Sequence, residues 1–273
     1  MNFLIRIAHY ICIRIKYKMI KQIISGIVLL VSSFTIMKAQ ETQIIAHRGF
    51  WKSENNAQNS ITSLRKAAEE KVYGSELDIH ITKDDVLVVY HDHDVNGIVI
   101  ETANYSAIKN TILKNGETLP TLKDYLIEGK KYPHLKLILE VKSHQDLNRE
   151  NKAVAEIINL VNELELSQQV EYISFSQNIC NEVKKQNPKA LISYLEGDLS
   201  PKEVKAKGWD GIDYNFKIFQ KNPNWIKEAN DLGLITNTWT VNKEEVMDEM
   251  IDQKIQYIST DEPLTLKQKL SNK

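Results

Sequence analysis

The stretch Leu137-Ile138-Leu139-Glu140-Val141-Lys142-Ser143 decides the fold. An apolar run of this length reads as a buried strand, and it ends on two charged residues spaced two apart. Side chains alternate between the faces of a strand, so Glu140 and Lys142 share a face. The same arrangement stands upstream in Ser75-Glu76-Leu77-Asp78-Ile79-His80-Ile81, where Glu76 and Asp78 point the same way. A third run, Gln43-Ile44-Ile45-Ala46-His47, ends on an imidazole and is followed by Arg48 and Gly49. Gly49 would let the backbone turn sharply there. Charges in apolar strands are unfavourable unless they are paired or bound to a metal. Acids at matching heights on neighbouring strands therefore point to a site at the strand ends.

Working outward, the chain alternates short β-rich runs with helical periodicity. Strands are expected over 43–47, 75–81, 135–141, 170–175, 190–195, 211–215, 234–239 and 256–260. Helices are expected over 60–71, 121–131, 151–164, 178–186, 201–207, 224–232 and 243–253, with Glu163, Lys185, Lys207 and Asp231 on their solvent faces. Such alternation predicts a parallel sheet covered by helices. Eight repeats in one chain of this length favour a single-domain α/β protein, a closed (β/α)8 TIM barrel, over an open sheet. Active residues in such barrels sit at the C-terminal ends of the strands, where the charged residues fall.

One segment breaks the alternation. Val86–Tyr90 follows the second strand after only Lys83-Asp84-Asp85, too short for a helical crossover. It reads as a hairpin that returns His91 over the barrel mouth, ahead of an irregular cap from His93 to Leu119. Asn96-Gly97 and Asn115-Gly116 are the turn signals of that cap. In His91-Asp92-His93-Asp94, adjacent side chains point apart, so function is assigned to His91 and solvation to His93 and Asp94. His80 shares the face of Asp78 and suits a structural role or a substrate contact, while His134 and His144 read as loop residues. The plainer readings are a structural Glu140–Lys142 ion pair, a core histidine at 47 and a surface cation at 48. Taken together, two imidazoles, a guanidinium and carboxylates suit chemistry on a phosphate ester. Carboxylates hold a hard divalent cation, cationic groups neutralise phosphate oxygens, and histidines move protons.

Charge and cysteine usage narrow the class. Residues 1–39 hold six Lys or Arg and no Asp or Glu. From Met19 a basic start, an apolar run over 23–37 and Lys38-Ala39-Gln40 make the pattern of a signal peptide, with Met19 the expected start and cleavage expected after Ala39. The apolar run is short for a membrane span, which needs about 20 residues. The expectation is an exported protein, periplasmic or secreted, with 40–273 as its mature domain and no stable membrane span after processing. Without residues 1–39, Lys+Arg falls from 35 to 29 against 36 Asp+Glu. An acidic domain is a poor nucleic-acid binder. Cys180 is the one cysteine left after processing, so no internal disulfide is expected, and its place at a helix start after a strand suits packing.

The ordered set His47-Arg48-Gly49, Gln58-Asn59-Ser60, Glu76-Leu77-Asp78, Thr82-Lys83-Asp84, His91-Asp92, Glu140-Val141-Lys142, Trp239-Thr240-Val241-Asn242 and Thr260-Asp261-Glu262-Pro263 resembles the signature of the glycerophosphodiester phosphodiesterase family. The resemblance runs from Ile44 to Pro263. It implies a TIM-barrel enzyme that hydrolyses glycerophosphodiesters, deacylated phospholipid head groups, to glycerol 3-phosphate and an alcohol. By position it implies Glu76, Asp78 and Glu140 as ligands of one Mg²⁺ or Ca²⁺. It implies His47 and His91 as the acid–base pair, Arg48 and Lys142 as phosphate binders, and Trp239 as a wall of the glycerol pocket. Gln58 departs from the family, which commonly carries Glu there, and this weakens any metal role for the position. Asp85 stands where relatives often have Gly. Two other readings are a phospholipase D- or sphingomyelinase-like barrel acting on intact lipids, and a barrel that binds glycerophosphodiesters without cleaving them.

Overall fold

The computed structural model describes residues 14, 16–19 and 41–272. The chain divides into two compact units, Met1–Gln40 and Glu41–Lys273. In the first unit residues 14 and 16–19 are helical and exposed, and most of the expected leader, including its cleavage point, lies outside the described residues. Among the described residues no helix is long and apolar enough to cross a membrane.

The second unit is the expected barrel. Its parallel strands are β1 (Gln43–Ala46), β2 (Gly74–Ile81), β6 (Lys136–Val141), β7 (Val170–Ser174), β8 (Ile192–Tyr194), β9 (Gly211–Asn215), β10 (Ile235–Trp239) and β11 (Tyr257–Thr260). Each pairs with the next around the ring, and β1 closes it by pairing with both β11 and β2. Strand β3 (Leu87–Val89) returns antiparallel on β2, which is the expected hairpin. The short pair β4 (Asp94–Val95) and β5 (Ile98–Val99) begins the cap.

Alternation explains the layers. On β2 the outward residues Leu77, Ile79 and Ile81 are buried under the helices, while Glu76, Asp78 and His80 are buried inward. Each such outward aliphatic contributes about 1.5–3 kcal/mol by leaving water. Inside the barrel, Ile45, Ile138, Ile173 and Leu195 form an apolar plug. Phe175 and Trp239 pack above it at the strand C-terminal ends, and Tyr73 and Tyr257 pack below it at the N-terminal ends. The cap has its own small core of Val88, Val95, Ile100, Ile108 and Leu119.

The outer helices follow the sequence with shifted ends. Ile61–Glu69 is N-capped by Ser60, whose side chain accepts from the Ser63 N–H, and it buries Leu64, Ala67 and Ala68. Those residues are spaced as one helical face requires. Three helices of this unit go beyond the expected set, one of them the single turn Tyr105–Ile108 within the cap. Phe216–Lys221 is a short piece capped by Asn215 directly after β9, and Pro263–Ser271 starts with proline at its first turn. Cys180 is fully buried in the helix Gln177–Gln186, as a packing residue should be.

Candidate active site

The site is built at the C-terminal ends of β1, β2 and β6. Asp78 and Glu140 are register partners on β2 and β6, which sets their carboxylates side by side. Glu76 comes from one inward position earlier on β2. One oxygen from each of Glu76, Asp78 and Glu140 lies within 4.8 Å of the others, a group that could hold a metal ion. Lys142 stands among these acids, with Nζ 2.6 Å from Asp78 Oδ1 and 2.5 Å from Glu140 Oε1. The Arg48 Nε lies 3.7 Å from Asp78 Oδ2.

Local backbone geometry delivers the β1 residues. Arg48 and Gly49 both have positive φ, 57° and 75°, so the chain turns sharply as the strand ends. A Cβ on Gly49 would come 2.3 Å from Ser63 Oγ, so glycine is demanded on both counts. The turn aims the Arg48 N–H at Glu76 Oε2, 2.7 Å away, while the guanidinium donates to Gln58 Oε1 at 2.8 Å. Gln58 thus holds the arginine. Asn59, next to it, brackets Asp78: its amide donates to Oδ2 at 2.7 Å, and its own Oδ1 accepts from the Asp78 N–H at 3.2 Å.

Electrostatics separate the three acids. Burial pushes Glu76 well above the ordinary carboxylate range, and the charges of Asp78 and Glu140 push it further. Burial acts on Asp78 as well, but Lys142, His91 and Arg48 outweigh it and hold the group at about 2. Glu140 is raised to about 7 by burial and by Asp78. The buried Glu76 Oε1 has no hydrogen-bond partner, and neither does the Arg48 Nε. An all-oxygen donor set with an orphaned buried carboxylate oxygen fits a hard divalent cation.

Both expected histidines reach the same place. His47 Nδ1 lies 2.8 Å from Asp261 Oδ1. Asp261 also accepts from Trp51 Nε1 at 3.0 Å and from the Asn242 amide at 2.7 Å. Burial raises the Asp261 pKa, but the His47, Asn242 and Trp51 contacts overcome it, leaving the group at about 2. His91 pairs with Asp92 Oδ1 through Nδ1 at 2.7 Å, and burial lowers its pKa while Asp78 opposes. A cavity of about 90 Å³ is lined by His47, Arg48, Glu76, His91, Glu140, Lys142, Phe175 and Trp239, among others. Trp239 meets Phe175 edge-on, ring centroids 5.6 Å apart, and its indole N–H donates to the Asp213 carbonyl at 2.9 Å. A second cavity of about 430 Å³ adjoins it through His91 and is lined by Trp51, Gln58, Tyr90, Asn96, Ile112 and Lys114, among others.

Seven of the eight sequence-derived site residues therefore line one cavity, and Asp78 lies beneath it in contact with Lys142 and Arg48. Sequence reasoning gave no role to Asp261, Asn59 or Asp213. The first two stand inside quoted motifs, which was their only signal. Asp213 is buried in the wall of the cavity with Oδ1 unpartnered, and burial together with Glu140 raises it to about 8. His144, expected as a loop residue, does lie in a loop but is buried.

Barrel, rim acids and paired imidazoles define a (β/α)8 hydrolase of phosphate esters, and the comparisons with known proteins make this specific. The Glycerophosphoryl diester phosphodiesterase family matches residues 47–265. The chain belongs to this family, and so is a phosphoric diester hydrolase. It is 28% identical over 242 residues to the glycerophosphodiester phosphodiesterase of Caldanaerobacter subterraneus subsp. tengcongensis, covering 83% of this chain and 96% of that one. A crystal structure of a glycerophosphodiester phosphodiesterase from Parabacteroides distasonis superimposes with a TM-score of 0.84 at 44% identity, covering 85% of this chain and 98% of the other. An Oleispira antarctica phosphodiesterase, solved in complex with the product sn-glycerol-3-phosphate, shares the fold at TM-score 0.72 and 20% identity, over 85% and 98% of the two chains.

Proposed function

We propose that the protein hydrolyses glycerophosphodiesters to glycerol 3-phosphate and an alcohol, using one Mg²⁺ or Ca²⁺ and the pair His47 and His91. The observation that carries this reading is the convergence of both imidazoles and the acids on one cavity. Glu76, Asp78 and Glu140 would hold the cation, which when bound neutralises charge on phosphoryl oxygens. The remaining work belongs to the chain. Arg48, pre-oriented by Gln58, offers its guanidinium to a phosphate oxygen. Lys142 lies against Asp78 and Glu140 and adds a second fixed positive charge.

His47 is the general base. Asp261 holds the Nδ1 side, leaving Nε2 to take a proton from the attacking oxygen, whether of water or of the neighbouring glycerol hydroxyl. His91 is the general acid. It stands between the small cavity and the 430 Å³ one, where the departing alcohol fits. Trp239 and Phe175 give the glycerol carbons an apolar wall. Residues 40–273 act as the mature enzyme, exported by the basic and apolar segment before them.

The test is release of glycerol 3-phosphate from a panel of glycerophosphodiesters, with and without chelator. Product that forms only when Mg²⁺ or Ca²⁺ is present is expected. Cleavage of intact phospholipid in preference to its deacylated head group would move the assignment to a lipid-acting barrel, and ligand binding without turnover would leave a binding protein. A nitrophenyl ester of glycerol phosphate separates the histidines. A good leaving group needs no proton, so it should restore turnover to His91→Ala and not to His47→Ala.

A further inference from the structure

One buried acid in the wall of the reactive cavity takes no part in the chemistry assigned so far. Asp213 is the middle residue of β9, and its strand lies between β8, which Leu195 follows, and β10, which ends on Trp239. In the closed ring of eight, β9 stands four places from β2 in either direction, so Asp213 faces Glu76 and Asp78 across the barrel. The cavity wall on this side is otherwise apolar, with Ile173, Phe175, Leu195 and Trp239. Asn237, the register partner of Asp213 on β10, is its one hydrogen-bonding neighbour, and Asp213 Oδ1 makes no hydrogen bond.

We propose that Asp213 reads the terminal hydroxyl of the substrate's glycerol, accepting a hydrogen bond from it at Oδ1 and so setting the preference for a glycerol ester. This rests on the reaction proposed above. With the phosphate held at the ends of β1, β2 and β6, the glycerol chain runs along Trp239 and Phe175 and ends on the opposite wall, at β9. Glu140 is near enough to Asp213 to act on its charge, so one small molecule can span the two. The hydroxyl on the middle carbon stays beside the phosphate, and the terminal one is the hydroxyl that reaches across.

Burial is what makes the acid a reader of hydroxyls. Asp213 is 1% exposed, and a buried carboxyl oxygen without a partner is unfavourable. A hydroxyl that enters an apolar wall needs a partner for the same reason, and the contact satisfies both groups. Burial raises the Asp213 pKa to about 8, with Asn237 opposing and Glu140 adding to the rise. A neutral carboxyl donates as well as accepts, and it does not repel a phosphate across the cavity. In either protonation state Oδ1 can accept from a hydroxyl. An ester without the terminal hydroxyl leaves the acid unpaired, which is how sites built to bind a hydroxyl reject analogues that lack it. The Trp239 indole N–H, donating to the Asp213 carbonyl at 2.9 Å, ties the reader to the apolar wall beside it.

The experiment compares two nitrophenyl esters with one leaving group, those of glycerol 1-phosphate and of propane-1,2-diol 1-phosphate. The second keeps the middle hydroxyl and lacks the terminal one, so the comparison holds whether water or that middle hydroxyl attacks. With Mg²⁺ or Ca²⁺ present, the parent should favour the glycerol ester about 10- to 100-fold in kcat/KM. Asp213→Ala should bring the ratio close to one. Asp213→Leu, which fills the same space without a polar atom, should do so too, and it carries the test if Asp213→Ala does not fold. Asp213→Asn, which keeps an acceptor oxygen and gains N–H donors, should retain most of the preference. A merely structural role would slow both esters alike and leave the ratio as it was. Equal turnover of the two esters by the parent, or an unchanged ratio in the Ala and Leu variants, overturns the role of Asp213 and leaves the reaction standing. Cleavage of neither ester by the parent overturns the reaction assignment as well.

Discussion

The barrel buries carboxylates at both of its ends, and the two ends treat them differently. At the N-terminal end Glu171 is a lone acid, hydrogen-bonded by the Tyr73 hydroxyl at 2.5 Å, beside the Tyr73–Tyr257 ring pair. Burial raises its pKa while Tyr73 and Lys136 oppose the rise. No second acid is among the groups that shift it. At the C-terminal end three acids crowd together within 4.8 Å of one another, with one carboxylate oxygen unpartnered and a lysine wedged between two of them. A single buried acid with a hydroxyl donor is a packing solution. Clustered acids repel one another, and in a buried place they persist only where something positive is meant to join them. Between the two ends lie Ile45, Ile138, Ile173 and Leu195, with the buried Asp213 lining the cavities on both sides.

The largest effects should come from removing the proton carriers at the rim. His47→Ala and His91→Ala are each expected to slow turnover of natural glycerophosphodiesters by about 10²- to 10⁴-fold, with unchanged thermal melting. Tyr73→Phe at the opposite end should leave kcat unaltered. A Tyr73→Phe enzyme as impaired as either histidine variant would erase the distinction between the ends.

Cation response separates the two ends next. In chelator, Glu76→Gln removes one of three crowded charges, so its stability should equal or exceed that of the parent. Mg²⁺ at a hundredfold excess over its dissociation constant should stabilise the parent by about 2.7 kcal/mol. Glu171→Gln should gain as much, and Glu76→Gln clearly less. Melting curves with and without Mg²⁺ decide this, and equal gains in all three proteins would refute the cation assignment. Asp261→Asn should follow with a loss in kcat of about 10- to 100-fold and little change in KM, because it disturbs the group that orients His47 and leaves the substrate contacts in place.

The strand ends were legible because alternation is a strict rule. Glu76, Asp78, Glu140 and Lys142 could be placed on one inner face from their spacing alone, and the register of β2 against β6 then set Asp78 beside Glu140. What sequence could not give was pairing between distant segments. Asp261 meets His47 only because β1 and β11 are neighbours in the closed ring. His144 reads as a loop residue until β6 is seen to deliver it beside His80. The helix Phe216–Lys221 was missed for a different reason: six residues hold too few turns to show a period. Pro263–Ser271 is hidden because Pro263 both closes the Thr260–Pro263 motif and opens the helix.

The smallest effect belongs to an acid outside the barrel. Glu128, in the helix Leu122–Gly129, accepts from Arg65 Nε and from Lys131 Nζ, each at 2.7 Å. The Arg65 hydrogen bond, with help from Lys131, overcomes desolvation and lowers Glu128 from its ordinary 4.5 to about 2. A carboxyl whose folded pKa lies below its unfolded value binds fewer protons in the native state at mildly acidic pH. Its contribution is therefore complete above about pH 5 and is lost as pH falls through the folded value near 2. Both cations face solvent, with Arg65 47% and Lys131 60% exposed, so screening trims the contribution to about 1 kcal/mol. Glu128→Gln should accordingly be less stable than the parent at pH 7 and indistinguishable from it near pH 2. Its cation response should be that of the parent at every pH, because it has no part in the rim cluster. A gap between the two denaturation curves that persists undiminished at pH 2 would show that packing of the side chain, and not its charge, holds this pair in place.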